Sequence, residues 1–345
     1  MPTAFPSAPL YRCHELAYRT QYAELKERVR AAGNLLPGTP GTLYQRNGTG
    51  HAYWYRVYYE APGVQAEQRV GAAENDAALV AVRDRIEFSR WTAKQVSDLR
   101  KLEFQVADKS TARVLVELHN SGTFDAGLTV VGTLGYMAWL NELGARAVAA
   151  RTQDIDLARR QQLRLATHTS FLSTMQATRL PFVAVPGLPS EQPATSMKLP
   201  GRDGLRIDLL APARSLGAIV RVPELGWHAQ GVPHYDYLLD DTVPAAVLAG
   251  GHCVPVRLPR TERFVWHKLY SSAARRGAPE KAAKDLLQAA TLAAVLVEQG
   301  DEPMADSWTD VPAGMQTTLA KSWPALRRAL AAHPQTLEQF ELAMP

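Results

Sequence analysis

Apolar residues recur at helical spacing from His14 to Ala32, where Leu16, Tyr22, Leu25 and Val29 fall near one face; the turn-forming run Gly33 to Gly41 ends that helix. The period then changes to two. Thr42 to Arg46, His51 to Glu60 and Glu67 to Gly71 are separated by Asn47-Gly48-Thr49-Gly50 and Pro62-Gly63, which predicts a three-stranded antiparallel meander rich in aromatic residues. Glu74 to Asp108 is helical and highly charged, and its pattern predicts two helices broken near Phe88 to Trp91.

In the middle of the chain, Thr111 to Asn120 predicts a helix leading to a short buried strand, Leu128 to Val131. An apolar helical run follows from Leu134 to Leu143, and Arg151 to Leu157 alternates as a second strand. Leu157 to Thr178 predicts a long amphipathic helix that offers Leu163, Leu165, Phe171, Leu172 and Met175 to the core. Thr195 to Leu199 and Leu205 to Leu209 flank a Gly201-Arg202-Asp203-Gly204 turn, a hairpin pattern, and a second hairpin is expected around Gly250-Gly251. Helices are predicted over Thr261 to Arg276, from Pro279 to about Val297, and in two or three pieces from Asp306 to Met344.

The chemistry concentrates between Leu128 and Asp156. Successive strand residues face opposite ways, so Asp154 and Asp156 share one side while Ile155 and Leu157 enter the core. Neighbouring carboxylates repel unless a divalent cation or a shared proton compensates. Gly132 allows close backbone approach, the first N–H groups of the following helix point outward with the positive dipole end, and the Thr133 hydroxyl adds a donor. An anion cradle beside a cation site suits a nucleoside triphosphate with magnesium. Asp208, between apolar neighbours in Leu205 to Leu210, offers a third carboxylate; the plainer use for it is to cap the Ala211-Pro212 turn.

Val131-Gly132-Thr133, a helix, then Thr152-Gln153-Asp154-Ile155-Asp156-Leu157 and a later single Asp208 resemble the nucleotidyltransferase superfamily, whose fold is that of DNA polymerase β. His267-Lys268-Leu269, Lys281 and Lys284-Asp285 extend the likeness, which covers roughly residues 110 to 300 and lies nearest to bacterial nucleotidyltransferase-fold proteins of poorly known substrate, AbiEii-type toxins among them. Thr133 stands where Ser is usual, and the linker from turn to Asp pair is longer than in compact members. The resemblance implies an α+β fold, with a mixed sheet and flanking helices over 110–260. Before it, 1–109 would hold the small meander and its helices; after it, 261–345 would form a helical bundle. It implies Mg²⁺ (or Mn²⁺) held by Asp154, Asp156 and Asp208, which are also the catalytic acids, and a nucleotide gripped by Gly132, Thr133, Lys268 and Lys284. NMP would pass from an NTP to an unidentified acceptor (tRNA, a protein hydroxyl or a small molecule), with an antitoxin partner if the protein is toxin-like. Lys268 could equally be a snorkelling surface lysine, and Lys281 and Arg276 read better as such.

Composition changes this picture little. With 345 residues the chain can hold two or three domains, and 46% hydrophobic and 21% charged residues are ordinary for a globular protein. A net charge of +4 is compatible with an anionic ligand without demanding nucleic acid. Cys13 and Cys253 make neither a disulfide framework nor a zinc site, and Met1 to Pro6 lacks a signal-peptide pattern. No apolar run is long enough to span a bilayer, so a cytoplasmic protein is expected. Dinucleotide, phosphate-loop, metalloprotease and serine-hydrolase motifs are missing, and the histidines lack paired ligand spacing. Asp236, Asp240 and Asp241 read as surface and capping acids. Arg46, Arg56 and Arg69 among the meander's rings suggest nucleic acid, but aromatic strands that bury area against a helix are the commoner explanation. Two other classes compete with the enzyme reading. One is a non-catalytic nucleotide- or RNA-binding module that kept the fold; the other, a glycosyltransferase, leaves the Gly-Thr turn and Asp208 unexplained.

Overall fold

The alternation around the two acids does what its period dictates. Ile155, Leu157, Ile207 and Leu209 are fully buried, while Asp154, Asp156 and Asp208 between them keep partial access to solvent. The computed structural model describes residues 8–47, 50–61, 63–74, 76–148, 152–166, 170–300 and 304–344. Parts of several expected features lie outside these: the start of the chain (residues 1–7), Gly48, Thr49 and Pro62 of the meander turns, Arg151, and 167–169.

In chain order, β1 (Arg12–Cys13) and α1 (Leu16–Ala32) precede the meander β2 (Thr42–Asn47), β3 (Ala52–Ala61) and β4 (Val64–Ala72). Then come α2 (Asp76–Lys101), α3 (Lys109–Asn120), β5 (Thr129–Val130), α4 (Gly132–Glu142), β6 (Ala145–Arg146) and β7 (Asp154–Ala158). The next group is α5 (Phe171–Ala177), β8 (Val183–Ala184), β9 (Ser196–Lys198), β10 (Arg206–Pro212), β11 (Ile219–Val222), β12 (Trp227–Val232) and α6 (Tyr235–Leu238). The hairpin β13 (Thr242–Ala249) and β14 (His252–Pro259) leads to α7 (Thr261–Ala274), α8 (Pro279–Gln299), α9 (Ala313–Leu319), α10 (Trp323–Ala329) and α11 (Pro334–Ala343).

The central sheet is mixed and runs β11-β12-β10-β7-β5, with β9 also on β10 and β8 on β9. β7 and β10 are parallel, with Arg206 opposite Asp154 and Asp208 opposite Asp156. This is the α+β architecture expected, including the N-terminal meander and the C-terminal helices. Those helices rest against the sheet's helical layer: α7 packs on α8, and fully buried Trp266 meets Trp308 and Phe340 at 5.0 Å each.

Two expected elements are corrected. The charged segment after the meander is one unbroken helix, α2, not two. Phe88 and Trp91 stack at 5.5 Å, the i,i+3 contact of a continuous helix, so the aromatics brace the turn where a break was expected. The long amphipathic helix over Leu157 to Thr178 shrinks to α5, because β7 continues to Ala158 and the chain then turns along the sheet. There the Arg159 N–H donates to the Leu210 carbonyl at 3.1 Å, and the Leu163 N–H donates to Glu224 at 3.1 Å. Those long-range bonds hold the backbone extended despite its apolar spacing, and helix begins only where Ser170 accepts from the Ser173 N–H.

Candidate active site

The site is built from a helix start pressed against a carboxylate. Val131 extends β5 by one bond, its N–H donating to the Asp156 carbonyl at 3.0 Å. Gly132 then turns into the left-handed region, φ +65°, and begins α4. A Cβ at 132 would lie 1.8 Å from Asp156 Oδ2, so both the backbone angle and the space require glycine here. No side chain caps the N-terminus of α4. Thr133, the second helical residue, is buried. The Gly-Thr turn and the Asp pair, 21 residues apart in the sequence at the nearest, are therefore in direct contact.

Three carboxylates stand on one face of the sheet. Burial, then Asp208 and Asp154, push the Asp156 carboxyl up to about 6, while Lys268 and Lys284 pull it down. Asp208 is braced: Arg206 Nε donates to its Oδ1 at 2.8 Å, the Ser196 hydroxyl donates to the same oxygen, and Arg206 Nη2 donates to Ser196 Oγ at 2.8 Å. The Asp154 backbone is pinned instead, its N–H donating to Thr152 Oγ1 at 3.1 Å. Among the described residues, neither the Asp154 nor the Asp156 carboxylate has a hydrogen-bond or ion-pair partner.

Among the described residues, no three His, Cys, Asp or Glu side chains are gathered closely enough to hold a metal ion as they stand. The donor type is nevertheless the one a hard divalent cation takes, carboxylate oxygen. Two carboxylates without described partners face one way from a single strand, and burial together with the charges of Asp208 and Asp154 already raises one of them. With Oδ1 of Asp208 committed to Arg206 and Ser196, its second oxygen is the one left for a ligand.

The lysines divide into two kinds. Lys268 is buried and donates to Asp285 Oδ1 at 2.8 Å, while Arg275 Nη2 donates to Oδ2 at 3.0 Å. Burial would raise Asp285, but Lys268 and Arg275 hold it below the usual carboxylate range. Lys268 is thus neither a surface snorkel nor a free cation. Lys284 is exposed on α8 and has no ion-pair partner among the described residues. Its ammonium is lowered by partial desolvation and by Lys268, with Asp285, Asp154 and Asp156 acting against them. It is a cation within electrostatic reach of the acid pair that no described residue holds away from a ligand. Lys281 and Arg276 are exposed, as surface residues would be.

Sequence reasoning assigned no role to Ser196, Arg206 or Tyr235, and named Asp285 only as part of the Lys284-Asp285 likeness. Arg206 carried a visible signal, since it sits two residues before Asp208 on an alternating strand and must share its face. Buried Tyr235 has its hydroxyl raised by burial, then by Asp156 and Asp285, and it stands edge-on to His267 at 5.0 Å. Nothing in its sequence context announces that position. His267 is a packing residue. Burial lowers it to about 4, and Nε2–H donates to the Pro233 carbonyl at 3.3 Å. Asp240 pairs with Arg160 and Arg263, and Asp241 with Arg260, as surface acids do. A cavity of about 410 Å³ lies elsewhere, lined by Tyr59, Arg113 and His252 among others, and none of the three acids borders it.

A family model described as nucleotidyltransferase matches residues 109–312, more than half of the 345-residue chain. The matched span contains every site residue named above. No curated protein matches the chain.

Proposed function

The chain belongs to the nucleotidyltransferase family, and from that premise we propose that it transfers NMP from an NTP to an acceptor hydroxyl with the help of divalent metal. The observation that carries this reading is the Asp156 carboxyl, which lies in the field of Asp154, Asp208, Lys268 and Lys284 at once while leaning on the Gly132 turn. Mg²⁺ or Mn²⁺, held by Asp154 and Asp156, would neutralise the triphosphate and the charge that develops on the reacting oxygens, which leaves the second oxygen of Asp208 to the acceptor hydroxyl.

The remaining parts follow from the chain itself. The uncapped N–H groups at Gly132 and Thr133 would grip phosphate oxygens at the positive end of α4. Lys284 would meet the charge of the departing pyrophosphate, and Lys268, through its pair with Asp285, would hold the base of the site in place. The acceptor oxygen forms a bond to the α-phosphorus as the bond from that phosphorus to the bridging oxygen breaks. Pyrophosphate leaves with the electron pair, and the hydroxyl proton passes to Oδ2 of Asp208. Arg206 and Ser196 orient that carboxylate by holding its other oxygen.

Calorimetric titration with each NTP, with and without Mg²⁺, run beside a pyrophosphate-release assay, tests the reading. Metal-dependent binding with turnover, both lost in Asp154→Ala, is the expected result. Binding that ignores the metal and gives no pyrophosphate would favour a non-catalytic binding module instead.

A further inference from the structure

The outward face of the N-terminal meander carries chemistry that the acid cluster does not use. Alternation splits β3 into two faces. Arg56 and Tyr58 are buried on the inner one, where Arg56 donates to the carbonyls of Pro37, Thr39 and Pro40, and Arg83 of α2 lies over Trp54. Tyr53, Tyr55 and Tyr59 take the other face. Register sets Tyr44 opposite Tyr55 and Arg46 opposite Tyr53 on β2, and Arg69 opposite Tyr55 on β4.

These side chains pack on one another. The Tyr44 and Tyr55 rings stack at 5.8 Å, Arg46 lies 5.3 and 4.9 Å over them, and Arg69 lies 3.9 Å over Tyr53. None of Tyr44, Tyr53, Tyr55 and Tyr59 belongs to the hydrophobic core, and Tyr59 is 51% exposed. Only the inner half of the aromatic sheet therefore serves the packing role expected of it. The outer half presents rings interleaved with two guanidinium groups against one carboxylate, Glu67, which pairs with Arg46 at 3.0 Å. Residues two apart on a strand stand about 7 Å apart, a spacing that suits successive bases of an extended single strand.

We infer that this face binds an unpaired stretch of RNA and that this RNA is the acceptor. Bases would stack on Tyr53, Tyr55 and Tyr44, and phosphates would meet Arg69 and Arg46. A duplex keeps its base faces stacked and offers this surface only backbone. RNA rather than DNA is favoured because each ribose offers a 2′-hydroxyl, donor and acceptor, to the polar groups on this face. Exposed Gln65, opposite Tyr59, can hydrogen-bond a 2′-hydroxyl. From the inner face, the sheet is tied to the segment that leads into the acid-bearing sheet. Glu60 of β3 pairs with Arg179 at 3.7 Å, Arg179 lies just before β8, β8 pairs with β9, and Ser196 of β9 holds Asp208. The RNA's role as acceptor rests on the nucleotidyl-transfer reading; its binding here does not.

The test is fluorescence anisotropy on the full chain without NTP or divalent metal, using a labelled single strand of roughly 12 nucleotides. RNA, DNA of the same sequence and RNA duplex are compared. Single-stranded RNA should bind tightest, and the Tyr53→Ala, Tyr55→Ala double variant should lose at least about tenfold. The Tyr53→Phe, Tyr55→Phe pair should stay within about twofold, since the ring faces remain. Metal-dependent NTP binding should persist in both doubles, and RNA binding should persist in Asp154→Ala, so this inference and the catalytic reading fail separately. No binding of RNA by the wild type up to about 100 µM, equal binding by the alanine pair, loss in the phenylalanine pair, or a preference for DNA or duplex would each overturn it.

Discussion

Gly132 and Asp156 occupy one space: an alanine methyl at 132 would fall 1.8 Å from the carboxylate Oδ2. The turn and the acid are therefore a single unit, and a side chain added at 132 must displace the acid. Gly132→Ala should abolish nucleotidyl transfer and destabilise the fold by about 1–3 kcal/mol, the cost of a left-handed non-glycine residue plus displacement of the acid. Denaturant unfolding beside the transfer assay checks both; an active, fully stable variant contradicts the geometry.

The two lysines should separate cleanly. Asp285→Ala strands buried Lys268 and should cost about 3–5 kcal/mol of stability. Lys284→Ala touches no ion pair among the described residues and should change stability by less than about 0.5 kcal/mol. It should instead lower kcat/KM for NTP by about tenfold, the loss of one charge-assisted contact. Thermal unfolding and steady-state kinetics on the two variants read these effects independently.

Arg206 and Ser196 act through Asp208. Ser196→Ala should lower kcat by about tenfold with little change in KM, because the carboxylate loses orientation and not its charge. Arg206→Ala should do the same more strongly. A pure KM effect would mean that these groups contact the nucleotide instead.

Asp156 also fixes a pH dependence. Its folded value of about 6, above the ordinary 3.8, means that the folded protein binds more protons than the unfolded chain between those values. Its contribution to stability is full below the lower value and is lost as pH rises through the higher one. A bound dication relieves that repulsion once the acid is ionised. Thermal unfolding should therefore show Mg²⁺ raising Tm more at about pH 7.5 than at about pH 5; an equal or reversed effect would contradict the assignment.

How much of this was legible depended on whether the deciding contacts were local. The period change at Asp154-Ile155-Asp156-Leu157 and the hairpin ending in Asp208 were readable, because strand alternation is a property of neighbouring residues. The stretch after Ala158 was not, since its apolar spacing suited a helix and the glutamate that holds it extended, Glu224, lies 61 residues from Leu163. Lys268 was visible as a cation, but its commitment to Asp285, 17 residues on, depends on how α7 meets α8. In β3, alternation promised two faces, yet both carry tyrosines, so only the structure could tell which one meets the helices.

The most direct test is label transfer from α-labelled NTP, with Mg²⁺ and total RNA, by the wild type and by Asp156→Asn. Removing this charge relieves repulsion, so Asp156→Asn should fold at least as stably as the wild type while transfer falls by about a thousandfold or more. Undiminished transfer by a folded Asp156→Asn, or no transfer by the wild type with any NTP, would contradict the account.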